Sequence, residues 1–236
     1  MIVINNPNNP TGATTPKSVL AKIIEFAKAR DIYVLGDEVY RPLFHSLPAG
    51  EDMPPSVLSF GYEKAISTGS MSKAFSLAGI RLGWVASRDP SIIEAVAEAR
   101  DYTTISVSQL DDSVAAYALS DAVQPSLMKR NIELARTNLD LLDAFVQKHN
   151  SVCHWVKPTA GTTAFVQFLR RGEPVHDPDF CLDVLEKTKA MFLPGSRCFG
   201  HDVDFKGYVR IGYVSDTAVL EEALQKLGNY VEENLY

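Results

Sequence analysis

The sequence predicts an α/β protein: a mostly parallel sheet flanked by helices, followed by a smaller α+β domain. Three observations carry this. Over residues 1–90, short β-branched runs alternate with amphipathic helical segments, and such alternation builds parallel sheets through crossovers. From Ser91 to His149 the pattern is helical, broken only near DAVQPS at 121–126. After that the pattern becomes hairpin, helix, strand and helix, which suits a separate α+β unit. The domains are therefore expected at residues 1–124 and 125–236.

The elements follow in order. IVIN at 2–5 is short and apolar, a first strand. TTPKSVLAKIIEFAKARD then reads as a helix, with Thr15 as N-cap and Pro16 at the first helical position. Its apolar face is Val19, Leu20, Ile23, Ile24 and Ala27. IYVLGDEVY at 32–40 is a second strand running into acidic residues, AISTGSMS at 65–72 a third and RLGWVAS at 81–87 a fourth. SLMKRNIELARTNLDLLDAFVQKH at 126–149 is a long amphipathic connector. CHWVKPTAGTTAFVQFL at 153–169 reads as a hairpin, DFCLDVLEKTKA at 179–190 as a helix and YVRIGYV at 208–214 as a strand. The last helix, from Asp216, turns Val219, Leu220, Ala223, Leu224, Leu227 and Val231 inward.

Composition narrows the function classes. With 236 residues, 46% of them apolar, the chain can bury a sizeable core. Its 23 basic and 29 acidic residues give a charge of −6, which disfavours a nucleic-acid binder. No apolar run is long enough to span a bilayer, and the Asn-Pro steps interrupt any signal-peptide core. Cys153, Cys181 and Cys198 are odd in number and form no Cys-x-x-Cys pair, so a reduced, cytoplasmic setting is expected. Cys198 and His201 lack a second pair of ligands; a packing role is expected for them and no metal.

In open α/β sheets, ligands sit beyond the carboxyl ends of the strands. Asn9 follows the first strand, Asp37 and Tyr40 end the second, and Ser70, Ser72 and Lys73 follow the third; Arg81 begins the fourth. Pyridoxal phosphate (PLP) asks for this set. Its aldehyde takes a lysine as a Schiff base, and its pyridine nitrogen takes a carboxylate. Asn9 and Tyr40 suit its ring oxygen, while Ser70, Ser72 and Arg81 suit its phosphate. Each group alone has a plainer reading. NNPNNPTG is a good turn, Asp37 a good helix cap, Lys73 an ordinary surface lysine and Arg210 an ordinary ion-pair partner. SMSK fits the Ser-x-x-Lys of penicillin-binding enzymes, but neither Ser-Asp-Asn nor Lys-Thr-Gly accompanies it. No P-loop Gly-Lys-Ser/Thr is present.

Together, NNPNNPTG (5–12), GDEVYRPL (36–43), STGSMSKAFSLAGIRLGW (67–84) and YVRIGY (208–213) resemble the signature blocks of the class I/II aminotransferases, PLP fold type I. Their order agrees, as does the spacing from Lys73 to Arg81. The resemblance implies that Lys73 is the Schiff-base lysine and proton-shift base. It places Asp37 on the pyridine nitrogen, Asn9 and Tyr40 on the ring oxygen, Val39 against the ring face, and Ser70 and Arg81 on the phosphate. Arg210, with Asn9 beside it, would hold the substrate α-carboxylate. The implied activity is amino transfer between an amino acid and a 2-oxo acid, by a homodimer. A PLP-dependent lyase, of the carbon–sulfur β-lyase or aminocyclopropane-carboxylate-synthase kind, and a non-catalytic fragment stay open. The family pattern also carries a part before the Asn-Pro block, with a Gly-rich phosphate-binding helix start. The resemblance implies that this part is missing here, that PLP is held weakly or only with a partner supplying the absent part, and that two apolar sheet edges are open. KPTAGTTAFVQF carries no charge that would suit a dicarboxylate.

Overall fold

A computed structural model describes all 236 residues. The chain forms two compact units, one of residues 1–8, 13–132 and 159–161, the other of 9–12, 133–158 and 162–236.

The first unit holds a four-stranded sheet in sequential order, β1 (Ile2–Asn5), β2 (Val34–Asp37), β3 (Ala65–Ser70) and β4 (Gly83–Ser87). The first three strands are parallel, and β4 runs antiparallel to β3. The helix α1 (Lys17–Lys28) connects β1 to β2 and buries Leu20, Ile24 and Ala27. These pack with Ile4, Val34, Val57, Tyr62 and Ala65 in one apolar cluster. Val19, expected on this face, is 43% exposed, so the stripe is narrower than its periodicity suggests. Thr15 does not cap α1; Pro16 holds the cap position without a side-chain bond. The Asn6 amide claims the backbone of Thr15 instead, accepting from its N–H at 2.9 Å and donating to its carbonyl at 3.2 Å.

β2 stops at Asp37, short of the expected Tyr40, because Glu38 turns inward. Its buried carboxylate accepts from the Val57 N–H at 2.8 Å and the Ser67 hydroxyl at 2.9 Å. The Arg41 N–H then donates back to the Glu38 carbonyl at 2.9 Å, closing a turn over the strand end. Helices α2 (Pro90–Asp101) and α3 (Gln109–Ala118) are capped by Asp89 and Ser108. They carry exposed apolar residues: no residue of α2 is buried, and Leu110 and Tyr117 of α3 are open.

The long helix α4 (Gln124–Lys148) contributes to both units. In the first unit, Asn131 Nδ2 donates to the Ala74 carbonyl at 2.8 Å. In the second, Asn138 Nδ2 donates to the carbonyls of Tyr213 and Ser215 at 2.8 and 2.9 Å.

The second unit is an antiparallel sheet backed by helices. Its strands are β5 (Cys153–Trp155), β6 (Thr163–Arg170), β7 (Glu173–Pro174), β8 (Leu193–Pro194) and β9 (Tyr208–Gly212). The order is β5-β6-β9-β8, with β7 paired to β6. Helices α5 (Asp177–Thr188), α6 (Gly195–Phe199) and α7 (Thr217–Asn234) complete it. Alternation splits the sheet faces: Ala164, Val166, Phe168, Val209 and Ile211 join the core with Phe180, Val184, Leu220, Leu224, Leu227 and Val231. Val219 and Ala223 were expected in this core, but Val219 is 61% exposed and Ala223 only half-buried.

Two buried polar groups in this unit have opposite characters. Asp177 is 1% exposed; its carboxylate accepts from the Ser196 N–H at 2.9 Å, the Ser196 hydroxyl at 2.7 Å and the Gly207 N–H at 3.1 Å. His149 is equally buried, with Nδ1 3.3 Å from the Tyr236 hydroxyl, but its Nε2 has no hydrogen-bond partner. Burial and the neighbouring Lys148 lower its pKa, against a smaller opposing effect of Glu232. Cys153 and Cys181 are buried free thiols, each pushed up to about 12 by desolvation. Cys198 is exposed rather than packed. No helix is long and apolar enough to cross a membrane.

Removing the Asp177 carboxylate strands three donors, so Asp177→Ala should lower the unfolding free energy by about 3 kcal/mol; an unchanged urea midpoint would contradict this. For His149 the unfolded chain binds the proton more readily than the folded one. Stability is therefore full above the ordinary histidine pKa of about 6.5 and falls as pH drops through the window below it. Urea titrations at several pH values should show a shallower pH slope in His149→Phe than in wild type.

Candidate functional site

Parallel pairing makes β1, β2 and β3 end at one edge of the sheet. The register there aligns Asn5 with Asp37 and Asp37 with Thr68. Asn5 Nδ2 donates to Asp37 Oδ2 at 3.1 Å and to the Asp37 carbonyl at 3.2 Å. From the other side, Thr68 Oγ1 donates to Asp37 Oδ1 at 3.2 Å. The sequence alone does not single out Asn5 or Thr68; a register drawn through the three strand ends would have found both.

Past Asp37 the Glu38 turn carries half-buried Val39 and Tyr40, which is 5% exposed. Gly161, in the left-handed region at φ +74°, passes beside the Tyr40 ring; a Cβ there would lie 3.7 Å from Tyr40 Cδ1. Lys73 is exposed, with Nζ 6.0 Å from the centre of the Tyr40 ring.

The loop from β3 to β4 presents the remaining polar groups. Its base is closed by the Ser70–Gly83 pair and by the Met71 N–H donating to the Leu82 carbonyl at 3.0 Å. Met71, Ala74 and Phe75 are buried and anchor the loop, which leaves Lys73 and Arg81 turned outward. The Ser72 N–H donates to Ser70 Oγ at 3.0 Å. Arg81 is left-handed at φ +52°, and its Nη1 donates to the Ala78 carbonyl at 2.9 Å. Gly83 has to be glycine, since a Cβ would lie 2.8 Å from the Gly69 carbonyl oxygen.

Asn9 and Arg210 belong to the second unit. Arg210 is half-buried on β9, opposite Phe165 in register, with its guanidinium carbon 5.5 Å from the Phe199 ring centre. Its Nη1 donates to Asn9 Oδ1 at 3.1 Å. That bond fixes the amide, so that Nδ2 is the donating edge of Asn9 on its other side. A cavity of about 470 Å³ elsewhere in this unit, lined by Arg170, His176, Asp179, Asp183 and Tyr230, includes none of these residues.

The geometry groups the expected residues into three sets: Asp37 in the strand-end row with Tyr40 and Lys73 beyond it, Ser70, Ser72 and Arg81 in one loop, and Asn9 with Arg210. A family model described as aminotransferase class I and II matches residues 1–227, and the chain belongs to that family. It is 28% identical over 238 residues to an aspartate aminotransferase of Thermotoga maritima, an alignment covering 98% of this chain and 55% of that protein. Among solved structures it is similar to a PLP-dependent aminotransferase from Streptococcus suis, with TM-score 0.86 and 34% identity over 99% of this chain and 57% of that one. It is also similar to the PLP-dependent cyclase OrfR, with TM-score 0.82 and 25% identity over 98% and 58% of the two chains. The chain thus spans little more than half the length of these relatives.

The donor set fits PLP. An anchored carboxylate, an exposed amine beside a tyrosine, and a loop bearing hydroxyl, backbone N–H and guanidinium groups match its pyridine nitrogen, aldehyde and phosphate in kind. Because Gly83 closes the β3–β4 loop, Gly83→Ala should force β3 and β4 apart and cost about 1 to 3 kcal/mol. Chemical unfolding measures this, and a stability equal to wild type would rule out the steric argument.

Proposed function

We propose that the chain carries the lysine-bearing part of a PLP-dependent aminotransferase, which moves an amino group between an amino acid and a 2-oxo acid. The observation that carries this is the Asp37 carboxylate anchored at the end of β2 with Lys73 presented over Tyr40. Membership of the aminotransferase class I and II family supports it.

When bound, PLP supplies an electron sink for a carbanion next to the amino nitrogen. This chain's residues would do the rest. Asp37 holds a proton on the pyridine nitrogen. Tyr40 and Asn9 Nδ2 donate to the ring oxygen, and Val39 packs on the ring face. Ser70, Ser72 and Arg81 hold the phosphate, with Arg81 supplying the planar fork that suits it. Lys73 Nζ would be the amine for the aldehyde and the base that takes the substrate α-proton and returns it to the carbon on the other side of the amino nitrogen. Arg210 clamps the α-carboxylate, and its bond to Asn9 keeps the guanidinium oriented. On the proposed division, the groups before residue 125, Asn9 among them, serve chiefly the cofactor. Those after it serve the substrate carboxylate. Assembly as a homodimer is part of the same proposal.

A second reading keeps these residues but ends in bond cleavage rather than amino transfer, and the likeness to the PLP-dependent cyclase OrfR favours keeping it. Release of ammonia from an amino acid without any 2-oxo acid present would select it.

Titrating the chain with PLP should produce a visible absorbance band that Lys73→Ala abolishes. Amino transfer to 2-oxoglutarate or pyruvate should then fall at least about a hundredfold in Asp37→Ala. Arg210→Ala should chiefly raise KM for the amino acid, about tenfold or more. A band that persists without Lys73 would refute the assignment.

A further inference from the structure

We propose that Asn5 and Thr68 are positioning residues that hold the Asp37 carboxylate in the plane from which it meets the cofactor's pyridine nitrogen. This rests on the reading of the site given above and adds two residues to it.

An aspartate side chain at a strand end is free in its last torsion, because rotation about the bond to the carboxyl group is broad and two-fold. A carboxylate meant to keep one proton on a ring nitrogen cannot be left to turn. Here each oxygen is engaged from a different neighbouring strand: Asn5 Nδ2 at 3.1 Å on Oδ2, and Thr68 Oγ1 at 3.2 Å on Oδ1. Parallel strands lie about 4.8 Å apart, and the in-register row Asn5, Asp37, Thr68 puts both donors on the same sheet face as the acid. The donors are themselves fixed. Asn5 Nδ2 also donates to the Asp37 carbonyl at 3.2 Å, and Thr68 is β-branched and stiff at its first torsion. The carboxylate is therefore braced on both sides in the plane of the sheet, and each oxygen keeps acceptor capacity for a further donor.

The alternative is that Asn5 merely ties β1 to β2 through the Asp37 carbonyl. The two roles separate, because Asp37→Ala removes the carboxylate and leaves the carbonyl. PLP affinity is measured by absorbance titration in wild type, Asn5→Ala, Thr68→Val and Thr68→Ser, and in Asn5→Ala and Thr68→Val combined with Asp37→Ala. Urea midpoints are recorded alongside. Asn5→Ala and Thr68→Val should each weaken PLP binding about tenfold, and Thr68→Ser, which keeps the hydroxyl, should restore it. In the Asp37→Ala background the same two substitutions should change affinity by no more than about twofold. Equal losses with and without the carboxylate, or no loss in the single variants, would overturn the positioning role while leaving the lysine assignment intact. Should Asn5→Ala fail to fold, the Thr68 series decides in the same way. Wild type giving no Lys73-dependent band overturns the functional reading itself, and this role with it.

Discussion

Parallel strand pairing is the constraint on which the rest of the molecule depends. A parallel neighbour cannot be reached by a tight turn, so the chain leaves the sheet after each strand and returns to the starting edge. Every strand of that kind ends on the same side. In the first unit this brings Asn5, Asp37 and Thr68, which are 31 or 32 residues apart in sequence, into one hydrogen-bonded row. The antiparallel strand β4 extends the arrangement by another route. Because Gly83 pairs with Ser70, the intervening loop starts and finishes at that same edge and carries Lys73 and Arg81 there.

Much of this was legible in the sequence, because much of it is local. The strand runs, the long connector helix and the short spacing from Lys73 to Arg81 each lie within one segment. What escaped needed information that no single segment holds. β2 ends at Asp37 because the Glu38 carboxylate finds donors at Val57 and Ser67, far along the chain. Thr15 is not a cap: Pro16 occupies that position, and the Thr15 backbone is bonded to the Asn6 amide. Val19 and Val219 sit on apolar stripes by periodicity, yet both are exposed, since periodicity fixes the centre of a stripe and not its width. The bond from Arg210 to Asn9 joins positions 201 residues apart, and the two-residue strands β7 and β8 are too short to have a period at all.

The second unit shows how buried polar groups can organise a small sheet. The Asp177 carboxylate sits at the start of α5 and satisfies donors at the start of α6 and in the turn before β9, so one side chain ties three segments of chain. Asn138 does similar work from α4, holding the two carbonyls that follow β9, while its own Oδ1 accepts from the Thr217 hydroxyl at the start of α7. Every side-chain polar atom of both has a partner, which is what makes a buried polar group an asset rather than a cost. His149, packed against Phe145 and Tyr236 with Nε2 unpartnered, shows the opposite condition in the same core.

The division into units also bears on how such a chain can be inherited. The polypeptide passes from one unit to the other five times, after residues 8, 12, 132, 158 and 161. The short returns are not ornamental. Residues 159–161 pair with the 43–46 segment, through the Gly161 N–H on the Leu43 carbonyl at 2.9 Å and the Ser46 N–H on the Thr159 carbonyl at 3.0 Å. Residues 9–12 bring the acceptor that Arg210 uses. Neither unit is therefore a contiguous stretch of gene. Recombination at one breakpoint could not exchange either unit whole with a homologue.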